Sequence, residues 1–250
     1  MPQVYLITGA SSGIGRGVAN ALGRARQRVA LVGRNGERLA RVAREVTQFG
    51  GEAMTVESDV RDPQSVHHAM ETMLARWGRV DTAILSSGIA ESVDLEAFLS
   101  GDVEAIFATN VFGVTRWLEA LHPVMRAQAD GGTIAVVSSL SADRAIPGGG
   151  AGYSASKAAV SQLCDGLRAP LKAQNIRLVT IAPGFVRTPM LDGMPWTPAS
   201  VSAEESAAFI LDGLRRKKSV IRYPALAALT MGIIRTLPAA ALDLLYRPAR

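Results

Sequence analysis

The sequence predicts an α/β protein with a doubly wound parallel sheet of about seven strands and helices on both faces. Short runs of apolar and β-branched residues alternate along the chain with longer segments of helical periodicity. The short runs are apolar without alternation, which is typical of strands buried on both faces. The gaps between them are long enough for crossover helices, which are right-handed. We therefore expect ligands at the carboxyl ends of the strands.

The predicted elements alternate between strand and helix from one end of the chain to the other. The predicted strands are Val4–Thr8, Val29–Gly33, Ala53–Glu57, Thr82–Ser86, Thr133–Ser138, Ile176–Ile181 and Ser219–Arg222. The predicted crossover helices are Gly13–Arg24, Gly36–Phe49, Pro63–Trp77, Val103–Ala127, Tyr153–Ala173 and Ala203–Arg216. No internal repeat or linker of shifted composition divides the chain, so residues 1–250 are expected to form a single domain.

The composition excludes several classes of protein. With 48% hydrophobic and 20% charged residues, the chain lies outside the disordered range. The net charge of +5 comes without the interleaved basic and aromatic residues of single-strand binders, so no nucleic acid partner is expected. Cys164 is the single cysteine, and the histidines lack the spacing of metal ligands. The first strand-like run begins at Gln3, which leaves no room for an export signal. We expect a cytoplasmic protein without a metal site.

The first strand leads into a glycine turn, Thr8-Gly-Ala-Ser-Ser-Gly-Ile-Gly15, and a helical pattern follows. Glycines at these positions permit positive φ and a close approach of the backbone to a pyrophosphate, whose charge the amides at the helix N-terminus would receive. The alternative is a tight turn that needs glycine for steric reasons only. The spacing differs from the G-x-G-x-x-G dinucleotide fingerprint, so the turn alone decides little.

The turn written as Thr8-Gly-x-x-x-Gly-x-Gly resembles that of the short-chain dehydrogenase/reductase family. Further motifs in that family's order are Ser58-Asp59-Val60, Asn110 in Thr-Asn-Val, Ser138-Ser139, Tyr153-Ser-Ala-Ser-Lys157 and Pro183-Gly184-Phe-Val-Arg-Thr188. The resemblance covers roughly residues 3 to 222. It implies a Rossmann-type fold and a nicotinamide-dependent oxidoreductase that interconverts a carbonyl and a secondary alcohol.

Two residues of the chain are candidates for proton transfer. Tyr153 and Lys157 are four residues apart in a helical pattern, so both side chains project from the same helix face. A free tyrosine, with a pKa of about 10, holds its proton too tightly to be a good base near neutral pH, and a nearby ammonium group lowers that pKa. The alternative is a buried tyrosine and an unrelated lysine on an ordinary helix.

The resemblance adds two residues to this pair. It implies that Ser139 forms a hydrogen bond with the substrate oxygen, and that Asn110 holds a helix bend and a proton relay through Lys157. Ser138 is the rival of Ser139, and strand alternation would turn only one of them into the cleft.

The resemblance also implies a set of cofactor contacts. They are Gly9, Ser11, Ser12, Gly13, Ile14, Gly15, Asp59, Val60, Ser86, Gly88, Tyr153, Lys157, Pro183, Gly184, Val186 and Thr188. For Asp59 and Thr188 the alternative is a role at a helix terminus.

The choice of cofactor depends on the end of the second strand. Enzymes for the unphosphorylated dinucleotide usually place Asp or Glu there, whereas this chain has Gly33-Arg-Asn. A guanidinium can hold a 2′-phosphate, so Arg34, helped by Asn35 or Arg38, favours NADP(H), with NAD(H) possible. The alternative is that Arg34 is a solvated surface residue.

The chain departs from the family pattern in two places. The interval from Ser139 to Tyr153 is 153 − 139 = 14, one residue longer than usual, and the glycine-rich stretch 147–152 can absorb the extra residue. After the fourth strand the chain has Leu85-Ser-Ser-Gly88 where the family commonly has Asn-Asn-Ala-Gly. Ser86 is expected to replace part of the lost hydrogen bonding.

Segment 187–200 is rich in proline and large apolar residues, which in a loop either bind a ligand or cover the core. The family resemblance implies that this segment closes over the substrate as a lid. An apolar pocket is expected from Met190, Leu191, Met194 and Trp196, with Leu140, Ile146 and Phe185 opposite. This lining favours an apolar carbonyl or alcohol as substrate.

Residues 224–250 are expected to form an apolar helical extension, with Leu226, Leu229, Ile233, Leu237, Ala240 and Leu244 on one face. We favour packing of this face on the body or on a second subunit of a homo-oligomer, a dimer or tetramer; peripheral membrane contact is the alternative. The alternative from another functional class is a dinucleotide-sensing or scaffold protein without turnover.

Overall fold

The structure, a computed structural model, describes residues 2–145, 148–191, 197–238 and 240–242. Seven strands of these residues form one sheet, and each pairs in parallel with its neighbours. They are β1 (Val4–Thr8), β2 (Arg28–Gly33), β3 (Glu52–Glu57), β4 (Thr82–Leu85), β5 (Gly132–Val137), β6 (Ile176–Pro183) and β7 (Val220–Tyr223). The order across the sheet is β3-β2-β1-β4-β5-β6-β7. The predicted fold class is therefore confirmed.

Helices connect the strands and cover both faces of the sheet. They are α1 (Gly13–Arg24), α2 (Gly36–Gln48), α3 (Pro63–Trp77), α4 (Ser100–Phe107), α5 (Gly113–Ala127), α6 (Ala151–Lys172), α7 (Ala203–Arg215) and α8 (Ala225–Ile234). Single 3₁₀ turns lie at Leu140–Ala142, Gly148–Gly150 and Pro189–Leu191.

Local sequence determines where several helices begin and end. The Asp62 side chain accepts a hydrogen bond from the Gln64 N–H at the start of α3, and Gly78, with φ of +70°, ends that helix. Ser202 and Glu205 form a capping box at the start of α7.

The predicted helix over Val103–Ala127 differs from the structure, in which it is divided. Helix α4 begins earlier, at Ser100, and α5 follows a single π-helical turn over Ala108–Phe112. In a π turn the backbone hydrogen bond spans one extra residue, which widens the helix locally. The apolar spacing continues through this turn, so periodicity alone does not reveal it.

Two apolar layers hold the helices on the sheet. Strand residues such as Leu6 and Ile134 face one layer, which includes α3, α5 and α6, while Ile7 and Val179 face the other, which includes α1, α2 and α7. All four are fully buried. Burial of both faces explains why the strands read as continuous apolar runs.

The strands after β1 are added on one side of it, as β2 and β3, and the strands from β4 onward are added on its other side. The strand order therefore reverses between β1 and β4, which are neighbours. The Thr8 hydroxyl oxygen at the end of β1 accepts hydrogen bonds from the N–H groups of Ser86 and Ser87, at 3.0 and 3.1 Å. This topological switch point opens a crevice at the carboxyl ends of the strands, where α/β proteins bind ligands.

The predicted face of the C-terminal extension does not pack on the body. In α8 the side chains of Leu226, Leu229 and Ile233 are exposed, as is Ala240, and Leu244 lies outside the described residues. A different side of α8 meets the body, because a Cβ placed on Gly184 would lie 3.3 Å from the Ala227 Cβ. In the described part of the chain, no helix is both long and apolar enough to span a bilayer.

Candidate active site

The glycine turn lies at the switch point, packed closely against neighbouring backbone. Gly9 and Gly13 have φ of +64° and +53°, which strongly disfavours other residues. A Cβ on Gly9 would lie 3.0 Å from the backbone carbonyl of Ser86, and one on Gly15 would collide with the Gly9 carbonyl oxygen. A Cβ on Gly13 would lie 3.1 Å from the Thr188 side chain. The turn from β1 therefore meets the segments after β4 and β6.

The N-terminus of α1 is open to a ligand. Ser12 is its N-cap residue, but the serine side chain makes no capping hydrogen bond, and no acidic residue lies in the first turn. Ser11, Ser12 and Ile14 are partly exposed beside it. The free amides and the helix dipole together suit an anion such as a pyrophosphate.

The ends of β2 and β3 form a second part of the site. Arg34 is exposed and has no hydrogen bond or ion pair with any described residue. Its neighbour Asn35 caps α2, since the Asn35 side-chain oxygen accepts the Arg38 N–H at 2.8 Å. This bond does not use the Asn35 amide nitrogen, so the help that Asn35 is expected to give Arg34 toward a phosphate stays a prediction.

Asp59 follows β3 by two residues and is held by its neighbour Arg61. The Asp59 carboxylate accepts hydrogen bonds from the backbone and the guanidinium of Arg61. This contact, with a smaller contribution from Arg34, holds the pKa of Asp59 below its ordinary value although burial acts in the opposite direction. Val60 is buried against Gly113 of α5.

The two serines after β5 point in different directions. Ser138 is buried, donates a hydrogen bond to the Lys157 carbonyl at 2.9 Å and lies 2.7 Å from the Ser161 hydroxyl. Ser139 instead lies close enough to the Tyr153 phenol for its hydroxyl to lower the pKa of that phenol. Its oxygen also accepts the N–H and the O–H of Ser141, at 3.1 and 3.0 Å. Both serines therefore meet α6, but Ser138 is buried against its backbone whereas Ser139 faces the Tyr153 phenol.

The ionisation of Tyr153 differs from the expectation. Burial raises the pKa of the phenol above its ordinary value, and the hydrogen bond with Ser139 acts in the opposite direction. The Lys157 ammonium lies 5.7 Å from the centre of the tyrosine ring and donates to the Val137 carbonyl at 2.8 Å. Because the ammonium is directed at a carbonyl group, it does not lower the pKa of the phenol here.

Lys157 is a buried cation. Burial lowers its pKa to about 8 from an ordinary value of 10.5. Its ammonium also faces the chain after β4, since a Cβ on Gly88 would lie 3.4 Å from the Lys157 Nζ. The same Cβ would lie 3.3 Å from the Asn110 Oδ1. Gly88, Asn110 and Lys157 therefore lie together, next to Tyr153.

Asn110 lies in the π turn and connects three segments. Its side-chain oxygen accepts the Ile89 N–H at 2.9 Å, and its amide donates to the Ile89 carbonyl at 2.9 Å and to the Ser156 hydroxyl at 3.0 Å. Ser156 in turn donates to the Tyr153 carbonyl at 2.7 Å. The sequence did not single out Ser141, which donates to Ser139, or Ser156, which connects Asn110 to Tyr153. Each lies within three residues of a predicted catalytic residue, which is the only sign of it in the sequence.

The predicted lid is described only at its two ends, residues 187–191 and 197–200. Val186 and Val201 form a parallel bridge, and the Arg187 N–H donates to the Val201 carbonyl at 2.8 Å, so the two ends are held together. Met190 is exposed. The predicted lining residues outside the described residues are Ile146, Met194 and Trp196.

Leu140 places one apolar side chain beside Gly184. Leu140 is buried after β5, and a Cβ on Gly184 would lie 3.5 Å from its Cδ1. Gly184, which follows Pro183 at the end of β6, donates its N–H to the Tyr223 carbonyl at 2.7 Å. The described part of the chain holds no cluster of side chains that could bind a metal ion.

Comparison with known proteins gives one consistent result. A family model described as short chain dehydrogenase matches residues 3–196. The oxidoreductase Lmo0432 of Listeria monocytogenes is 34% identical over 192 residues, which are 76% of this chain and 77% of that protein. A short chain dehydrogenase from Burkholderia cenocepacia, solved in complex with NADP, shares 26% identity over 99% of this chain and 98% of its own, with a TM-score of 0.82. A Burkholderia phymatum structure in complex with NAD, at 21% identity and a TM-score of 0.86 over 100% and 97% of the two chains, shares the fold.

Proposed function

Since the chain belongs to the short-chain dehydrogenase/reductase family, we propose that it is an NADPH-dependent oxidoreductase that interconverts a carbonyl and a secondary alcohol. The observation that carries this proposal is the meeting of Ser139, Tyr153 and Lys157 at the end of β5. A protein that only senses a dinucleotide would not need a phenol held against a serine hydroxyl beside a buried ammonium group.

The residues present fit a dinucleotide. The glycine turn leaves no room for side chains, and the uncapped N-terminus of α1 offers amides to a pyrophosphate. In the proposal Arg34 holds the 2′-phosphate and Lys157 the nicotinamide ribose, while Thr188 binds the carboxamide beside Gly13. The other proposed contacts are Gly9, Ser11, Ser12, Ile14, Gly15, Asp59, Val60, Ser86, Gly88, Tyr153, Pro183, Gly184 and Val186. Asp59 would have to share its carboxylate between Arg61 and the adenine.

The chain's own residues would supply the proton and hold the substrate. The nicotinamide cofactor, when bound, supplies or accepts the hydride. Tyr153, whose raised pKa keeps it protonated at neutral pH, donates its proton to the carbonyl oxygen in the direction of reduction. Ser139 donates a hydrogen bond to the same oxygen and polarises the carbonyl.

Lys157 and Asn110 would support the proton transfer. The Lys157 ammonium, charged below about pH 8, would have to turn from the Val137 carbonyl toward the phenol to stabilise the negative charge that develops there as the proton leaves. Asn110 holds the π turn against Ile89 and fixes Ser156 beneath Tyr153. Asn110 therefore positions the catalytic helix, in addition to the relay that the family resemblance implies.

The proposal extends to substrate, assembly and location. The apolar wall around Leu140 and Gly184 supports an apolar carbonyl or alcohol as substrate. The exposed apolar side chains of α8 support a homo-oligomer, a dimer or tetramer, with peripheral membrane contact as the alternative. A cytoplasmic location agrees with the single, buried cysteine, Cys164.

A screen of carbonyl compounds with both reduced cofactors tests the proposal. Oxidation of NADPH that depends on an apolar ketone or aldehyde is expected, at a higher kcat/KM than with NADH. Cofactor oxidation without a carbonyl is the control. Binding of NADPH without turnover on any compound would favour the dinucleotide sensor, and faster turnover with NADH would contradict the assigned cofactor preference.

A further inference from the structure

A second charged residue lies at the end of the site where Arg34 is found. Glu57 is the last residue of β3 and is paired in register with Gly33, the last residue of β2. Paired residues of parallel strands point to the same face of a sheet. Glu57 therefore projects on the same side as position 33, where this chain has no side chain.

The Glu57 carboxylate reaches across to the first residue of α2. A Cβ placed on Gly36 would collide with the Glu57 Oε1 and would lie 2.8 Å from its Cδ and 3.4 Å from its Oε2. Gly36 does not have a positive φ, so its backbone conformation does not require glycine. The missing side chain at Gly36 makes room for the carboxylate.

This carboxylate has no partner in the described part of the chain. Glu57 is exposed, and neither a hydrogen bond nor an ion pair joins it to a described residue. Arg34, two residues before Gly36, also lacks a partner there and is close enough to act on the charge of Asp59, which follows Glu57 by two residues. Arg34 and Glu57, which have opposite charges and no described partner, therefore both lie near the start of α2 at Gly36.

We propose that Glu57 is a cofactor-specificity residue that opposes Arg34. A carboxylate accepts hydrogen bonds from the 2′- and 3′-hydroxyls of an unsubstituted ribose and repels a 2′-phosphate, whereas a guanidinium attracts that phosphate. Glu57 supplies from β3 the carboxylate that position 33 lacks on β2. The protein therefore binds NAD(H) as well as NADP(H), with Arg34 giving the preference and Glu57 limiting it.

This inference depends on the proposed function, and binding measurements separate the two. Dissociation constants for NADPH and NADH are measured by nicotinamide fluorescence in the wild type, in Glu57→Gln and in Glu37→Gln. Glu37 is an exposed carboxylate in the first turn of α2 and is the matched control, because it carries the same charge at the same helix end but does not lie on β3 beside position 33. Both substitutions remove one exposed negative charge and are expected to fold.

The proposal predicts opposite changes for the two cofactors. Glu57→Gln should strengthen NADPH binding by about three- to fivefold and weaken NADH binding by about threefold, as is usual for exposed charge interactions. Glu37→Gln should leave the ratio of the two constants within about twofold of the wild type. If Glu57→Gln leaves the ratio of the NADPH and NADH dissociation constants unchanged, or if Glu37→Gln shifts that ratio equally, then Glu57 is not a specificity residue. Either result would leave the proposed function standing. Failure of the wild type to bind either dinucleotide would overturn the proposed function together with this inference.

Discussion

Single residues of the site have separate structural and chemical tasks, and the two serines after β5 are the clearest case. The Ser138 hydroxyl donates to the Lys157 carbonyl and lies beside the Ser161 hydroxyl, whereas the Ser139 hydroxyl faces the Tyr153 phenol. A difference in the direction of adjacent side chains thus separates a residue of the core from a residue of the proposed chemistry.

Substitution of each serine by alanine should separate these tasks. Ser139→Ala should lower kcat by about a hundredfold with little change in stability, because it removes a hydrogen bond to the reacting oxygen. Ser138→Ala should lower the free energy of unfolding by about 1–2 kcal/mol, because it leaves buried partners unpaired, and should reduce kcat far less. Denaturant unfolding and steady-state kinetics measure both. Equal losses of activity would contradict the distinction.

Arg34 gives a prediction about the cofactor. Arg34→Ala should weaken NADPH binding by about ten- to a hundredfold and leave NADH binding nearly unchanged, because only the phosphorylated cofactor loses a charge-assisted pair. Arg41→Ala, which removes an exposed cation from the same region of α2, is the control. Titration of both cofactors checks the prediction, and equal losses of affinity for the two would show that Arg34 is a solvated residue that does not hold the 2′-phosphate.

Lys157 gives a prediction about pH. Its folded-state pKa of about 8 lies below the ordinary value of 10.5, so the folded protein holds fewer protons than the unfolded chain between these values. The cost of burying the charge is fully present below pH 8 and is lost as the pH rises toward 10.5. Lys157→Met should therefore raise the free energy of unfolding by up to about 2 kcal/mol at pH 7, although activity is lost.

This gain in stability should shrink as the pH rises above 8. Lys172→Met, at an exposed position of the same helix, should show no such dependence. Chemical denaturation of the three proteins between pH 7 and pH 10 measures both effects, and a pH-independent difference for Lys157→Met would contradict the account.

Residue identities were predictable from the sequence where spacing carries the information. The four-residue interval brings Tyr153 and Lys157 onto one helix face, and strand alternation separates Ser138 from Ser139. The pKa direction of Tyr153 was not predictable, because it depends on how deeply the ring is buried and where the ammonium points. The sequence also does not separate the capping role of Asn35 from a role in phosphate binding, since both use the same kind of residue at a helix start.

At the scale of elements, glycines determine how closely helix α1 packs. A Cβ on Gly17 would collide with the Ala203 carbonyl oxygen at the start of α7, and one on Gly23 would lie 2.9 Å from the backbone of Val46 in α2. These contacts hold α1 between two helices. Its N-terminus, which carries the proposed pyrophosphate site, is thereby fixed in place.

Alanine at two helical glycines should have opposite effects. Gly17→Ala should destabilise the protein by about 2–3 kcal/mol, because the new methyl group meets backbone that cannot move aside. Gly166→Ala should stabilise it by about 0.5–1 kcal/mol, because that exposed position of α6 has open space and alanine favours helix. Thermal and denaturant unfolding compare the two. A neutral Gly17→Ala would contradict the proposed packing of α1.

The strands were predicted to within a few residues, because burial on both faces gives the central strands continuous apolar runs, although the edge strands β3 and β7 are only partly buried. The region 100–127 was harder, since a π turn leaves the apolar spacing intact and depends on contacts of Asn110 with the distant Ile89. For α8 the sequence left open whether the apolar face meets the body or a second subunit, and only packing on the body disagrees with the exposure of Leu226, Leu229 and Ile233. Helical periodicity identifies an apolar face but not the surface that it meets.

At the scale of the whole molecule, the sheet topology brings distant segments of the chain together. The ends of β1, β4, β5 and β6 meet at the switch point, so the glycine turn, Gly88, Ser139 and Thr188 surround the proposed site although they are spread over most of the chain. The fold class and the order of motifs were therefore sufficient to predict which strand ends form the site. The identity of the substrate was not predictable, because a pocket depends on loop conformations that periodicity does not encode, and its apolar character stays a prediction.

Comparison of turnover with cofactor binding in Tyr153→Phe tests most directly whether Tyr153 is the proton donor. The substitution removes the transferable proton and keeps the ring, so the variant should bind NADPH with a dissociation constant within about twofold of the wild type while kcat on a carbonyl substrate falls by at least about a hundredfold. Both quantities are measured on the same preparations, by fluorescence titration and by NADPH oxidation. Turnover at the wild-type rate by Tyr153→Phe would contradict the claim that Tyr153 is the proton donor of a carbonyl reductase.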